Sequence, residues 1–261
     1  MYSIQAAGFA VLIVAAAKTL AWLLQRRLKN AGLVDPIWAW TLGFLAVFYA
    51  LLGDAPAGLR LLLALMGGLW GLRLGTHLFL RNWNKPEDWR YARFRRDWGT
   101  HADRNMFWFF QFQNIFTLLL SSFAFLPVAF RSDAPPLICW ALALLIWNVS
   151  VLGEGLADAQ MECFRSHPAN HGRVCTDGLW RYSRHPNYFF ECLHWAAYVP
   201  LAIGAPYGWL SLLAPVVMAL LLMKLSGLPM LEEEMIRRKP GYRDYVRSTS
   251  ALIPWPPHKR G

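Results

Sequence analysis

Residues 4–24 read IQAAGFAVLIVAAAKTLAWLL and are stopped at once by Gln25-Arg26-Arg27. A run of about 20 apolar residues is the length a helix needs to cross the hydrocarbon core of a bilayer. This one is longer than the apolar part of a secretory signal, and no small-residue cleavage site follows it, so it reads as a retained anchor. Six more runs of this kind follow at 33–53, 59–80, 108–130, 135–157, 188–204 and 207–229, the sixth being the shortest. Composition agrees, with 56% hydrophobic residues, 16% charged residues and 14 Trp in 261 positions. The expectation is an all-α integral membrane bundle of seven transmembrane helices, forming a single membrane-embedded domain over 1–261.

Lys and Arg give the orientation, because cytoplasmic loops retain positive charge. Arg26, Arg27 and Lys29 follow run one, seven basic residues from Arg81 to Arg104 follow run three, four from Arg165 to Arg184 follow run five, and seven lie after residue 230. The other connections carry only Arg60 and Arg131. This alternation puts the N-terminus outside and the C-terminus in the cytosol of a multi-pass protein, in a bacterial inner membrane or an endoplasmic reticulum. The net charge of +10 is then mostly a topology signal beside anionic membrane lipids. A nucleic-acid partner is not expected, since the basic residues are divided among spans, and no obligatory protein partner is implied. The four cysteines show no CxxC pairing, which argues against both disulfides and a zinc site.

Two cytosolic loops are longer than a bundle needs, about 27 residues after run three and about 30 after run five. Both are dense in aromatic residues, which disordered loops are not. The second is entered through Glu154, Asp158 and Arg165, which share a helix face as either a salt-bridged end or a set of ligand contacts. It continues through Asp177-Gly178, a turn, to Trp180-Arg181-Tyr182-Ser183-Arg184-His185-Pro186-Asn187-Tyr188, with Glu191, His194 and Trp195 in the next span. Ser183 is placed to cap a helix that contains Pro186 early, and such an N-terminus offers unpaired amides to an anion. Arg173, Arg181 and Arg184 supply mobile charge matched to phosphate, while Trp180, Tyr182 and Tyr188 offer faces for a nucleotide ring. Each residue also has a plain role as a headgroup contact, interfacial aromatic or cap; the costly placement of Glu191 and His194 inside a span is what those roles leave unexplained.

The C-terminal segment pairs Glu233 with Arg237 and Glu234 with Arg238 on one helix, ended by Pro240-Gly241. Tyr242 and Tyr245 beyond it either close over a ligand or pack on the bilayer surface.

At Gly178-Leu179-Trp180, Ser183-Arg184-His185-Pro186-Asn187-Tyr188, Glu191, Trp195, the Glu-rich helix and Tyr245 with Ala251-Leu252-Ile253-Pro254, the chain resembles the steroid 5α-reductase superfamily. It resembles more closely the bacterial reductase-like group sharing its C-terminal domain, over roughly residues 30–255, and sterol C14 and C7 reductases look alike here too. The resemblance implies a cytosol-facing NADPH site with Asp158, Arg165, Tyr182, Asn187 and Glu191 as contacts and Arg173 and Arg184 as phosphate partners. Trp180, Ser183, His185, Tyr188, Trp195, Arg237, Tyr242 and Tyr245 join them as candidate cofactor-binding residues, and Glu154 stands where the family often has Asn. It also implies NADPH-dependent reduction of a conjugated C=C bond in a lipid enone, such as a 3-oxo-Δ4 steroid. Residues 1–107 would be the substrate side and 108–261 the NADPH-binding part. S-adenosylmethionine-dependent isoprenylcysteine and phospholipid methyltransferases look similar near Arg184-His185-Pro186, but the fuller match and the four Arg between 165 and 184 favour a phosphate-bearing cofactor.

The steroid enzymes' Gln-Glu pair is missing. Its region reads Val34-Asp35-Pro36-Ile37-Trp38, and the loop after run three holds Glu87, Asp88 and Tyr91. Asp35 or Glu87, kept protonated by burial, or Tyr91 as a neutral donor, are the candidate acids. Against this, Asp35 can be a helix cap, and Glu87 can pair with Arg90 or Arg93. Trp38, Gln111, Gln113 and Asn114 are candidate substrate-binding residues, although the three amides can equally satisfy one another.

Overall fold

A computed structural model of the protein describes residues 2–225 and 228–258. These residues form α1 (Tyr2–Leu28), α2 (Val34–Leu52), α3 (Ala57–Asn82), α4 (Trp89–Trp98), α5 (Ala102–Ala129), α6 (Leu137–Ser166), α7 (Pro186–Ala196), α8 (Val199–Ala202), α9 (Leu213–Leu220), α10 (Leu228–Arg238) and α11 (Tyr242–Ser248). Short 3-10 turns join them, and no strand occurs among the described residues beyond an isolated parallel bridge between Ser183 and Ser250.

Among the described residues, six helical stretches are long and apolar enough to cross a membrane: Ile4–Leu28, Ala31–Leu52, Ala57–Asn82, Trp89–Ala129, Leu137–Ser166 and Gly208–Leu225. Their surface is the reverse of a water-soluble bundle. Leu61, Leu65, Leu69 and Leu72 of α3 and Leu145, Leu152 and Leu156 of α6 are exposed, whereas Lys18, Gln25, Thr117 and Ser121 are buried. Exposed apolar stripes of that extent call for lipid.

The expected run at 188–204 departs from a continuous span, because α7 ends at Ala196 and only the single turn of α8 follows. Pro200 has no N–H to donate one turn back, so a helix continuing through it loses a hydrogen bond. The last run is assembled from a 3-10 turn, Gly208–Leu212, then α9, then a π-helical turn, Leu221–Leu225. Residues 226 and 227 of that run, and Lys259 and Arg260 of the basic C-terminus, lie outside the described residues.

The chain divides into two compact units, Met1–Pro136 with Leu201–Ala214, and Leu137–Pro200 with Pro215–Gly261. The anticipated boundary after residue 107 falls inside the unbroken α5. In the first unit α2 and α3 meet along a seam of small residues. A Cβ on Gly71 would lie 2.6 Å from the Gly43 Cα and 2.8 Å from the Ala39 carbonyl oxygen, and one on Gly75 would lie 2.3 Å from the Trp40 indole. Where lipid replaces water, such close backbone approach is a main source of helix association. α1 turns Val14, Lys18, Ala21 and Gln25 inward at helical spacing.

In the second unit α7 packs on α6, with the Phe190 ring where a Gly153 side chain would otherwise be. Gly241, at φ 82, is the N-cap of α11, a backbone conformation that favours glycine.

Candidate functional site

In the first unit the loops before α2 and after α3 are tied together by amides. Asn30 accepts from the Gly32 N–H (3.0 Å) and donates to the Asn82 carbonyl (3.1 Å), and Asn82 donates to the Gly32 carbonyl (3.1 Å). This fixes Asp35, in the first turn of α2, beside the start of α4. Asp88 caps α4 by accepting from the Arg90 N–H (3.0 Å) and also takes the Arg90 guanidinium (2.9 Å). Burial opposes ionisation of Asp88, but the hydrogen bond and charge of Arg90 outweigh it and hold the carboxyl below its ordinary range. The same guanidinium reaches Asp35 at 3.5 Å, and the Tyr91 hydroxyl donates to the other Asp35 oxygen at 2.7 Å.

Tyr91 is buried at 4% exposure in a cluster with Ala21, Ala31, Val34, Met106 and Phe110, edge-on to Phe94 and Phe109. Two of the three candidate acids, Asp35 and Tyr91, are thus in direct contact. Asp35 accepts from both Tyr91 and Arg90, and so holds the phenol in place. Glu87 is committed elsewhere. It accepts from the Ala31 N–H (2.8 Å) and pairs with Arg95 (2.8 Å), not with Arg90 or Arg93.

The candidate substrate residues lie farther along α2 and α5. Trp38 packs edge-on to Trp70. Gln111 donates to Thr19 (3.1 Å) and accepts from Asn114 (2.7 Å), and Gln113 accepts from the Lys18 ammonium at 2.9 Å. Lys18, fully buried in α1, is a residue the sequence reading passed over within an apolar run.

In the second unit the motif at 183–188 is a clamp on the C-terminal segment. Arg184 donates to both Glu232 oxygens (2.7 and 3.2 Å) and to the carbonyls of Val246 and Thr249, and the His185 ring meets Glu232 at 3.1 Å. Burial works against the Glu232 carboxylate, yet His185 and Arg184 pull its pKa down to about 2. The Arg184 N–H donates to the Ser250 carbonyl, Ser183 Oγ donates to the Leu252 carbonyl (2.8 Å), and the Tyr245 hydroxyl donates to the carbonyls of Trp180 and Ser183. Burial, with the charge of Glu232, pushes Tyr242 up to about 12, so it stays a neutral phenol.

Arg184 is therefore no mobile phosphate seeker. It is 8% exposed, and four of its five N–H groups are spoken for by those partners together. Ser183 is not the cap of α7 either. The N-cap is His185, whose N–H donates to Ser183 Oγ, while Asn187 Oδ1 accepts from the Tyr188 N–H and thereby uses a helix-end amide. Trp180 is buried, with its indole N–H on the Ala157 carbonyl; Trp195 donates to Glu191 (3.1 Å), both buried; Tyr188 stacks on His185; Arg237 pairs with Glu234. The Asp177-Gly178 turn is present, with Gly178 at φ 58 packed against the Gln160 amide.

A rim of the same unit is more exposed than the clamp. Arg165, Arg173 and Tyr182 are exposed, and Asn187 donates to Asp158 at 3.2 Å. Lys239, not singled out in the sequence, donates to the Arg173 carbonyl at 2.8 Å. Burial and then the positive charge of Arg165 hold the Lys239 ammonium below its ordinary range. Nothing in the one-dimensional pattern separated Lys239 from Arg237 and Arg238, because the like-charge approach is made by residues far apart in the chain.

No curated protein and no solved structure matches the chain. A family model does, over residues 21–249, its description being "Protein of unknown function (DUF1295)". That match covers the Tyr91 cluster and both Arg184 and Glu232 of the clamp, and the chain belongs to this family.

Proposed function

We propose that the protein is a membrane-bound, NADPH-dependent reductase of a conjugated C=C bond in a lipid enone, with 3-oxo-Δ4 steroids as the first substrate class to test. The observation that carries the reading is the buried Tyr91 phenol, held by Asp35 and flanked by Arg90 in the same loop cluster. A neutral phenol in an apolar surround is a donor suited to a carbonyl oxygen, and a fixed carboxylate acceptor orients it.

The second unit supplies groups that fit an anionic dinucleotide. Lys239 and Arg165 both bring positive charge to this rim, and Lys239 donates to the Arg173 carbonyl. These three would hold the phosphates, with Tyr182, Asn187 and Asp158 beside them for the ribose and rings, while Arg184 keeps the surrounding backbone in place. When bound, NADPH supplies the hydride that the β-carbon receives. Tyr91 shifts its hydrogen bond from Asp35 to the substrate carbonyl and polarises it, Arg90 keeps Asp35 in position, and the α-carbon takes a proton from water.

The test is incubation of the detergent-purified protein with NADPH and a panel of enone lipids, read by mass spectrometry. A product two hydrogens heavier than its substrate is the expected result. No such product, together with thermal stabilisation by S-adenosylmethionine and none by NADPH, would overturn the reading in favour of a methyltransferase.

A further inference from the structure

Lys18 sits inside the Ile4–Leu28 span with no exposed surface, pointing into the first unit and not along the bilayer surface. A charged group at that depth is costly, and an isosteric apolar side chain would usually pack there at no loss of stability. Its ammonium has three N–H groups, and one hydrogen bond, to the neutral Gln113 Oε1 at 2.9 Å, is what the described residues offer it. The neighbouring helix α2 carries in its first turn Asp35, the acceptor of Tyr91.

Position links it to that cluster. Lys18 lies three residues before Ala21 on one face of α1, and Ala21 packs with Tyr91, Val34 and Phe110. Gln113 and Asn114 lie one turn beyond Phe110 on α5, and Asn114 Oδ1 is buried with no hydrogen-bond partner among the described residues. About one helical turn along α1 from Ala21, which packs with Tyr91, there is therefore an ammonium with N–H groups to spare. Spare N–H groups of that kind complement a lipid oxygen rather than a hydrocarbon chain.

We propose that Lys18 is a further catalytic residue, the cation that binds the substrate oxygen on which negative charge develops. This rests on the reductase reading above. As hydride adds to the β-carbon, the C=C electron pair forms the double bond between the α-carbon and the carbonyl carbon, and the carbonyl pair moves onto oxygen. That oxygen is held by hydrogen bonds from Tyr91 and Lys18. Lys18 keeps its proton, and the α-carbon then takes one from water as the carbonyl re-forms. Because the charge is larger in the transition state than in the ground state, the contact acts mainly on kcat.

The experiment uses the full chain in detergent with NADPH, progesterone as probe, and the variants K18M and K18R. K18M should lower kcat roughly 100-fold or more, the scale of losing one oxyanion donor, leave NADPH affinity unchanged, and keep or raise the thermal midpoint. K18R should recover part of the activity. Without cofactor, progesterone should stabilise the wild type more than K18M. Wild type with no enone reduction would overturn the reductase reading and the assignment with it. An active wild type with K18M within about threefold of it would overturn the assignment alone. K18M with a lowered midpoint and no rescue by K18R would make Lys18 structural and equally overturn it.

Discussion

Glu232→Gln tests whether the 183–188 motif is a clamp, and its effect on stability can be worked from the geometry. In the folded protein Arg184 and His185 bring Glu232 from its ordinary 4.5 down to about 2. A difference of that size corresponds to about 3.4 kcal/mol, at about 1.4 kcal/mol per pH unit. The carboxylate keeps 18% of its side-chain surface exposed, and solvent screening brings the usable figure to roughly 1.5–2.5 kcal/mol. The folded pKa is depressed, so this stabilisation is fully present above pH 4.5 and is lost as pH falls from there through about 2. Wild type should therefore lose more stability than Glu232→Gln over that interval, and the two should converge at its acid end. The assay is thermal unfolding of both proteins in detergent at several pH values, paired with limited proteolysis at pH 7. In the variant, cleavage should begin within residues 228–258, which the clamp fastens. Equal midpoints at pH 7 and parallel pH curves would refute the clamp, since a Glu232 exchanging freely with solvent predicts both.

Other outcomes follow from the same contacts. Tyr91→Phe should lower enone turnover about 100-fold while NADPH affinity, by fluorescence titration, stays within twofold. Arg165→Ala and Lys239→Ala should each weaken NADPH binding about tenfold or more, the scale of a charge-assisted hydrogen bond, with the thermal midpoint of Lys239→Ala unchanged or raised as the like-charge approach to Arg165 is relieved. Gly71→Leu, by forcing a side chain into the Gly43 backbone, should cost about 1–3 kcal/mol or more in thermal or SDS unfolding.

How far the sequence could be read depended on whether a property is local. The length and apolarity of a run are local, and α1, α2, α3, α5 and α6 fall on the runs named from composition. The break after Ala196 was marked by Pro200, but a run scored on hydropathy averages that residue away. Asp35 and Tyr91 were each visible as polar residues flanking apolar runs, and the structure adds that they touch across 56 positions. Arg184 shows the opposite case. Its chemistry suits phosphate or carboxylate equally, and the Glu232 that claims it lies 48 residues away. Lys18 was hidden by its neighbours, because one charge in an apolar run reads as a tolerated exception until its burial is known.

The glycine seam between α2 and α3 also bears on chemistry well away from it. Gly71 lies 11 residues before Asn82, about 16 Å along a helix, and Asn82 ties the turn that presents Asp35 to the loop that leads into α4 and Tyr91. Two backbones locked without intervening side chains cannot slide past one another, so the seam works as a ruler: it sets, from mid-membrane, the alignment of a carboxylate with a phenol at the helix ends. Small enlargements along it should register first as lost alignment of that pair, before the helices come apart.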